Sequence, residues 1–314
     1  MAINGLYLSA AHKSSGKTTV TIGIGAALVS KGYTVQAFKK GPDYIDPMWL
    51  KMATGRGCYN LDFYTQEEDE ILELVAEKSQ GADLALVEGN KGLYDGLDLD
   101  GSNSNAALAK FLKTPVVLVL DTVGTIRGVA PLVIGYQTFD PDVEIAGVIL
   151  NKVGGPRHEK KLIQVMETYT DVPVIGAVGR SDEVKLLERH LGLIPSNEEA
   201  GALSKVAQIG RFIADSVDLD KLVAIAAPLE DAPSFSFQRP SVAPENETIR
   251  LGIAKDAAFG FYYEDDLDTF KALDVELVAV DFIHDKTLPK DLDGLFIGGG
   301  FPESFLQELS ANES

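Results

Sequence analysis

Residues 6–19, LYLSAAHKSSGKTT, constrain the fold of this chain more than any other stretch. A short apolar run ends in small residues, passes a polar turn and enters Ser15-Gly16-Lys17-Thr18-Thr19. This is close to the phosphate-loop pattern G-x-x-x-x-G-K-[ST], which lies between a buried strand and a helix. The first glycine is replaced by Ala11. In such a loop, backbone N–H groups and a helix N-terminus form an anion cradle. The residues Ser15, Gly16, Lys17, Thr18 and Thr19 are therefore expected to hold ATP. Lys17 would reach the outer phosphates and the Thr18 hydroxyl would face Mg²⁺. A plain turn and helix start is the competing reading. The strand-like run before the loop and the long apolar segment from Val20 to Val29 favour the nucleotide.

Beyond the loop, strand-like and helix-like segments alternate. Strands are expected at residues 5–10, 34–38, 84–87, 115–120, 145–150 and 174–177. Helices are expected at 17–31, 67–78, 105–112, 126–138, 157–168 and 197–217. The run PVVLVL at 115–120 is apolar almost throughout, as in a strand covered on both faces. Such alternation predicts an α/β fold with a doubly wound, mostly parallel sheet. Ligands then sit beyond the carboxyl ends of the strands. Residues 1–228 are expected to form this first domain and 229–247, rich in proline, a linker. Residues 248–314 begin a second α/β unit, with strands at 249–254, 275–280 and 295–297 and a helix at 267–273. That unit is too small to be a complete domain, so the sequence reads as cut short.

Composition narrows the partners. A net charge of −19 argues against nucleic acid, whose affinity comes from neutralising phosphates. No apolar run reaches the roughly 18 residues of a membrane span, and no signal peptide is visible. The single cysteine, Cys58, excludes an internal disulfide framework and fits the cytoplasm. The pattern leaves a homodimer open.

Four clusters follow predicted strands and are expected to meet at one rim. The first is the phosphate loop; the second is Lys39-Lys40-Gly41-Pro42-Asp43-Tyr44-Ile45-Asp46-Pro47; the third runs from Glu88 to Gly96; the fourth is Asn151-Lys152-Val153-Gly154-Gly155. Asp43 and Glu88 are candidate magnesium ligands, since that ion takes one or two carboxylates together with phosphate oxygens and water. Alternatively Asp43 caps a turn at Pro42 and Glu88 is a solvated loop end. Asp46 and Asp95 are further ligands, or they orient a substrate or ammonia. Lys39 and Lys40 suit an anionic substrate, although lysines at strand ends are commonplace. Asn151 either meets a base edge or simply precedes the turn at Gly154-Gly155. The stretch Tyr59-Asn60-Leu61-Asp62 lies in a polar segment that could line a cleft. Tyr44 and Trp49 could pack on a large flat ligand, or belong to the core.

In this order, SAAHKSSGKTT, FKKGPDYIDP, ATGRGCYNLD, VEGNKGLYDG and GVILNKVGG resemble the cobyrinic acid a,c-diamide synthase family. That family is similar in its first domain to dethiobiotin synthetase, and its second is a class I-type glutamine amidotransferase; the late GGGFPE resembles the latter's glycine-rich strand. The resemblance implies that ATP phosphorylates peripheral carboxylates of a tetrapyrrole and that ammonia, from glutamine, displaces the phosphate. It assigns ATP to Gly16, Lys17, Thr18 and Thr19, Mg²⁺ to Asp43 and Glu88, and adenine to Asn151. Tyr44, Asp46 and Asp95 would serve the substrate and its phosphorylated intermediate. Lys39, Asn60, Asp62 and Tyr94 fall within the matching motifs and join the expected substrate side. No cysteine follows Cys58, so the chain as given is expected to use free ammonia and to show no glutaminase activity. The wording ATGRGCYNLDF leaves the macrocycle open between a cobyrinate and a sirohaem-type or nickel-sirohydrochlorin-type ring. A partitioning or regulatory ATPase and a catalytically silent binding module are the alternatives. The former often carries a second loop lysine, where this chain has His12.

Overall fold

The strand feeding the phosphate loop runs through the middle of the main sheet. The computed structural model describes residues 3–313 except 183, 185, 187, 190, 191, 199, 200 and 231–247. The chain divides into two compact units, Met1–Leu187 with Leu203–Phe235, and Glu188–Ala202 with Ser236–Ser314.

In the first unit, β1 (Asn4–Ala10), β2 (Val35–Lys40), β3 (Tyr59–Leu61), β4 (Leu84–Glu88), β5 (Val116–Asp121), β6 (Ile145–Val153) and β7 (Val174–Gly179) form one sheet. Their order is β3-β2-β4-β1-β5-β6-β7, and all these neighbours pair in parallel. A short strand, Ala227–Pro228, adds antiparallel to the start of β1. The intervening helices are α1 (Lys17–Ser30), α2 (Ile45–Thr54), α3 (Glu68–Lys78), α4 (Asn105–Phe111), α5 (Val129–Phe139) and α6 (Pro156–Tyr169), followed by α7 (Ala202–Ala214) and α8 (Leu219–Ala224).

Strand side chains alternate between faces, so each strand supplies two cores. Tyr7, Phe38, Val87, Leu118 and Leu150 share one buried cluster with Ile71 and Leu74 of α3, Leu108 of α4, Val133 of α5 and Leu162 of α6. The buried residues between them, Leu8, Leu86, Val117 and Ile149, face the other way. On α1, Gly23 and Gly25 admit α7 and α2 at close range: a methyl at Gly23 would meet Ile213 at 2.2 Å. Burial on both faces is what the unbroken apolar strands dictate.

Three strands run further than their apolar runs suggest. β2 continues to Lys40, β4 to Glu88 and β6 to Val153, because pairings such as Lys39 with Glu88 and Asp121 with Asn151 extend the ladder into polar residues. Lys39, Lys40, Glu88 and Asn151 therefore sit on strand ends, rather than in the loops expected after Phe38, Val87 and Leu150. The expected helix at 197–217 is shorter, because Gly201 adopts a left-handed φ of 84° and α7 starts only at Ala202. Helix α2 and strand β3 lie where the sequence shows no clear period. Most of the expected linker, 231–247, lies outside the described residues. Among the described residues no helix is long and apolar enough to cross a membrane.

The second unit carries a parallel three-stranded sheet in the order Val275–Val280, Ile249–Ala254, Gly294–Phe296, with a helix at Glu264–Ala272. Phe259–Phe261 pairs antiparallel with Gly299–Gly300. A side chain at Gly300 would lie 1.9 Å from the Ala258 carbonyl oxygen, so only glycine allows this crossing.

Candidate active site

The phosphate loop is shaped by residues that adopt left-handed backbone conformations, Ser14 at φ 66° and Gly16 at φ 81°. Gly16 is the N-cap of α1; the cap has no side-chain hydrogen bond and the first turn holds no acidic residue. The first N–H groups of this 14-residue helix are left for an anion. Ala11, in place of the first glycine of the pattern, does not need a positive φ. Its carbonyl oxygen accepts from the Tyr136 hydroxyl at 2.5 Å.

The end of β6 holds this loop from the side. Asn151 Nδ2 donates to the Ser15 carbonyl at 2.7 Å, and Lys152 Nζ donates to the Ser14 carbonyl at 2.7 Å and to Asp121 Oδ2 at 2.8 Å. Asn151 thus braces the phosphate loop, a contact that the base-edge assignment does not include. A side chain at Gly16 would meet Asn151 Nδ2 at 2.4 Å. Burial alone would raise the Asp121 carboxyl, but the bond from Lys152 outweighs it and holds the group low.

Glu88, fully buried, is the hub of the charges. Its Oε1 accepts from Lys17 Nζ and, at 2.7 Å, from the Thr18 hydroxyl; Lys39 Nζ is 3.4 Å away. Its Oε2 is buried and has no hydrogen-bond partner among the described residues. Lys39, 1% exposed, also contacts Asp46 at 2.5 Å, Asp43 at 3.7 Å and the Gly89 carbonyl at 3.2 Å. Burial alone would depress Lys39, but Asp46, Glu88 and Asp43 together hold it well above the usual lysine range. Asp46 would likewise be raised by burial, yet Lys39 and Lys17 keep it below the ordinary carboxylate value. Asp43 is raised, by burial first and by the like charge of Asp46 second. Lys17 is lowered by burial, which its pairing with Glu88 only partly offsets.

Asp43 also behaves as the turn-capping alternative describes. Its Oδ1 accepts from the N–H groups of Ile45 and Asp46, at 2.9 and 3.0 Å. The same loop is pinned by Asn60, whose Nδ2 donates to the carbonyls of Gly41 and Asp43, both at 2.8 Å. Asp62 accepts from Tyr64 N–H at 3.2 Å and organises the turn after β3. The structure therefore gathers Ser15, Gly16, Lys17, Thr18, Lys39, Asp43, Asp46, Asn60, Glu88 and Asn151 around the carboxyl ends of β1, β2, β4 and β6.

Tyr94 donates to the Tyr136 carbonyl at 2.6 Å and packs on the rings of Tyr136 and Phe139; burial raises its hydroxyl to about 12. Asp95 is exposed and accepts from Gly92 N–H at 3.1 Å. Tyr44 is the half-buried N-cap of α2, and Trp49 belongs to the core. Sequence reasoning passed over Asn105, which is fully buried. Its Oδ1 accepts from the Tyr7 hydroxyl and Asn90 N–H, both at 3.0 Å, and its Nδ2 donates to the Gly92 carbonyl at 2.7 Å. It fixes the segment that leaves Glu88. The only signal was a polar residue opening an apolar helix, which reads as a cap.

Among the described residues no group of three or more His, Cys, Asp or Glu side chains forms a metal cage. Magnesium does not need one. The unpaired, buried Glu88 Oε2 and the adjacent Thr18 hydroxyl fit an ion that takes its other ligands from phosphate and water.

Residues 10–194 match the family model for the CobQ/CobB/MinD/ParA nucleotide binding domain. The chain is 46% identical to a cobyrinate a,c-diamide synthase of Magnetococcus marinus, over 98% of this chain and 67% of that protein. It is 44% identical to one of Methanosarcina acetivorans, over 98% of this chain and 64% of that protein. It is 40% identical to one of Listeria monocytogenes, over 99% and 69%. The chain thus spans about two thirds of the length of these curated relatives.

Proposed function

Since this chain belongs to the cobyrinate a,c-diamide synthase family, we propose that its first unit is the ATP-dependent amidoligase of a tetrapyrrole carboxylate. The observation that carries this reading is the junction of the phosphate loop with Glu88, Asp46 and Lys39 on neighbouring strand ends. A switch ATPase needs the loop and one carboxylate. The extra buried cluster on β2 and α2 supports a second reactant beside the phosphate.

Carboxylates are poor electrophiles, so amide formation needs activation. An acceptor carboxylate oxygen, in line with the γ-phosphorus, forms a C–O–P link as the P–O bond to ADP breaks. The lone pair of ammonia then forms the C–N bond, the C–O bond to phosphate breaks, and inorganic phosphate leaves. Glu88 and the Thr18 hydroxyl would hold Mg²⁺, with Asp43 and Asp46 nearby. Bound there, the ion would offset phosphate charge. Lys17 exchanges Glu88 for the outer phosphates, and its ammonium stabilises charge on the transferred group. Lys39 keeps Asp43 and Asp46 close together despite their like charge. Asn151 and Lys152 hold the loop against recoil. The relatives' names favour a cobyrinate-type acid over the sirohaem-type alternatives.

Purified chain incubated with ATP, Mg²⁺, ammonium and cobyrinic acid is expected to yield products about one mass unit lighter per amidation. ATP turnover indifferent to every tetrapyrrole acid would reject the reading.

A further inference from the structure

Lys40 is a buried cation that the proposed chemistry leaves unused. It ends β2 and is 1% exposed. Among the described residues no carboxylate lies within ion-pair distance of it, and its one hydrogen-bond partner is neutral, the Asn103 side-chain oxygen at 3.0 Å. Its neighbour on β2 presents the opposite picture, since Lys39 is surrounded by Asp43, Asp46 and Glu88. An ammonium has three donors, so Lys40 holds two without a described acceptor. Burial lowers its basicity; Asp62 resists this and Lys91 adds to it, so a second positive charge is in electrostatic reach.

A buried charge with one neutral partner is costly unless something else compensates. Nearby polar groups are also incompletely paired. Asn90, two residues beyond Glu88, has a buried amide oxygen with no hydrogen bond among the described residues, and its Nδ2 lies 3.0 Å from where a side chain on Gly41 would begin. Asn103 itself belongs to the segment between Asp95 and α4, in which Leu97 and Leu99 are exposed. The Asn103 oxygen is therefore a neutral acceptor, brought to Lys40 by an outer loop, in the place where a carboxylate oxygen would bind more strongly.

We propose that Lys40 binds a carboxylate of the acceptor that is not the one being phosphorylated, displacing Asn103. This rests on the amidoligase reading and deepens it: the anion on Lys40 fixes which other carboxylate of a polyacid reaches the γ-phosphate. No covalent step is involved. The exchange replaces a neutral hydrogen bond with a charged one, and Lys91 favours the same anion from outside.

Binding of cobyrinic acid is measured by calorimetry on the chain, without ATP, for the wild type, Lys40→Met and Asn103→Ala. Lys40→Met is expected to weaken binding about 10- to 100-fold, the loss of one charged hydrogen bond. Asn103→Ala is expected to tighten it a few-fold, because no internal acceptor competes. The methyl ester of the same acid is expected to bind wild type and Lys40→Met equally. Lys40→Met is expected to unfold at no lower temperature than the wild type, since it removes a poorly paired buried charge. Equal affinity of wild type and Lys40→Met for the acid overturns the proposal. So does weakening by both variants, which would mark the Lys40–Asn103 bond as a structural tether. Lys40-dependent binding without any amidation would leave this site standing and reject the reaction instead.

Discussion

Glu88→Gln is expected to lower ATP-dependent amidation about 100- to 1,000-fold, the scale for removing one charge-stabilising group from a reacting centre. The substitution is close to isosteric and lies at the end of β4, so the sheet should persist. It removes the anion shared by Lys17, Thr18 and Lys39, and the oxygen that has no partner among the described residues. Without nucleotide the variant should also melt earlier, because two buried ammonium groups lose a common counter-charge. ATP should recover part of that loss by giving Lys17 a phosphate. Turnover within a few-fold of wild type would mean that Glu88 is only an internal counter-ion.

Lys39→Met should act on stability even more than on rate. Three carboxylates, Asp43, Asp46 and Glu88, lose the cation that holds them together, and breaking a buried pair in this way costs about 3–5 kcal/mol. The pH dependence carries a definite sign. In the wild type Lys39 titrates above its usual 10.5, so its contribution is complete below that value and is lost as pH rises through the raised one. Asp46 titrates below its usual 3.8, so its contribution is present above that value and is lost as pH falls through the lowered one. Asp43 is raised and has the opposite sign: the folded state binds its proton more tightly, so acidification favours folding through this group. In the variant Asp43 loses the cation that opposes its rise, and Asp46 keeps only Lys17. The deficit, read from urea unfolding, should therefore shrink as pH falls from neutral towards the carboxylate range. A deficit below about 1 kcal/mol, or one constant with pH, would show that Lys39 does not hold the cluster together.

Much of this arrangement was legible in the sequence. The apolar strands and the loop at Gly16-Lys17-Thr18 gave the parallel sheet and its rim, because burial on both faces and a helix N-terminus each leave a residue pattern. Glu88 and Asp46 were legible because they follow apolar runs or lie in a dense polar motif. What was not legible depends on pairing between distant segments. Lys39 reads in the sequence as a partner for an anionic substrate or a commonplace strand-end lysine, because only the register of β2 on β4 places it opposite Glu88. For Asn151 the sequence leaves open a base edge or a turn, while its side chain holds the loop at Ser15, far away in sequence. Asn105 opens an expected helix and carries no site signal in the sequence, yet it joins Tyr7, Asn90 and Gly92. Tyr94 lies in a motif that points to the substrate, and only the fold shows that its hydroxyl donates to the Tyr136 carbonyl. Helix α2 begins after the turn of GPDY, where the Asp43 carboxylate accepts from the N–H groups of Ile45 and Asp46 and overrides weak periodicity.

An activated carboxylate formed beside Lys17, Glu88 and Lys39 is the centre of the proposed reaction, and the fate of one oxygen tests it directly. Cobyrinic acid labelled with ¹⁸O in its carboxylates would be amidated by the chain with ATP, Mg²⁺ and ammonium, and the released inorganic phosphate analysed by mass spectrometry. If the carboxylate attacks the γ-phosphorus and ammonia then displaces phosphate, each phosphate released carries one oxygen from the acid, in step with each amide formed. Phosphate carrying no label while amides accumulate would contradict the account.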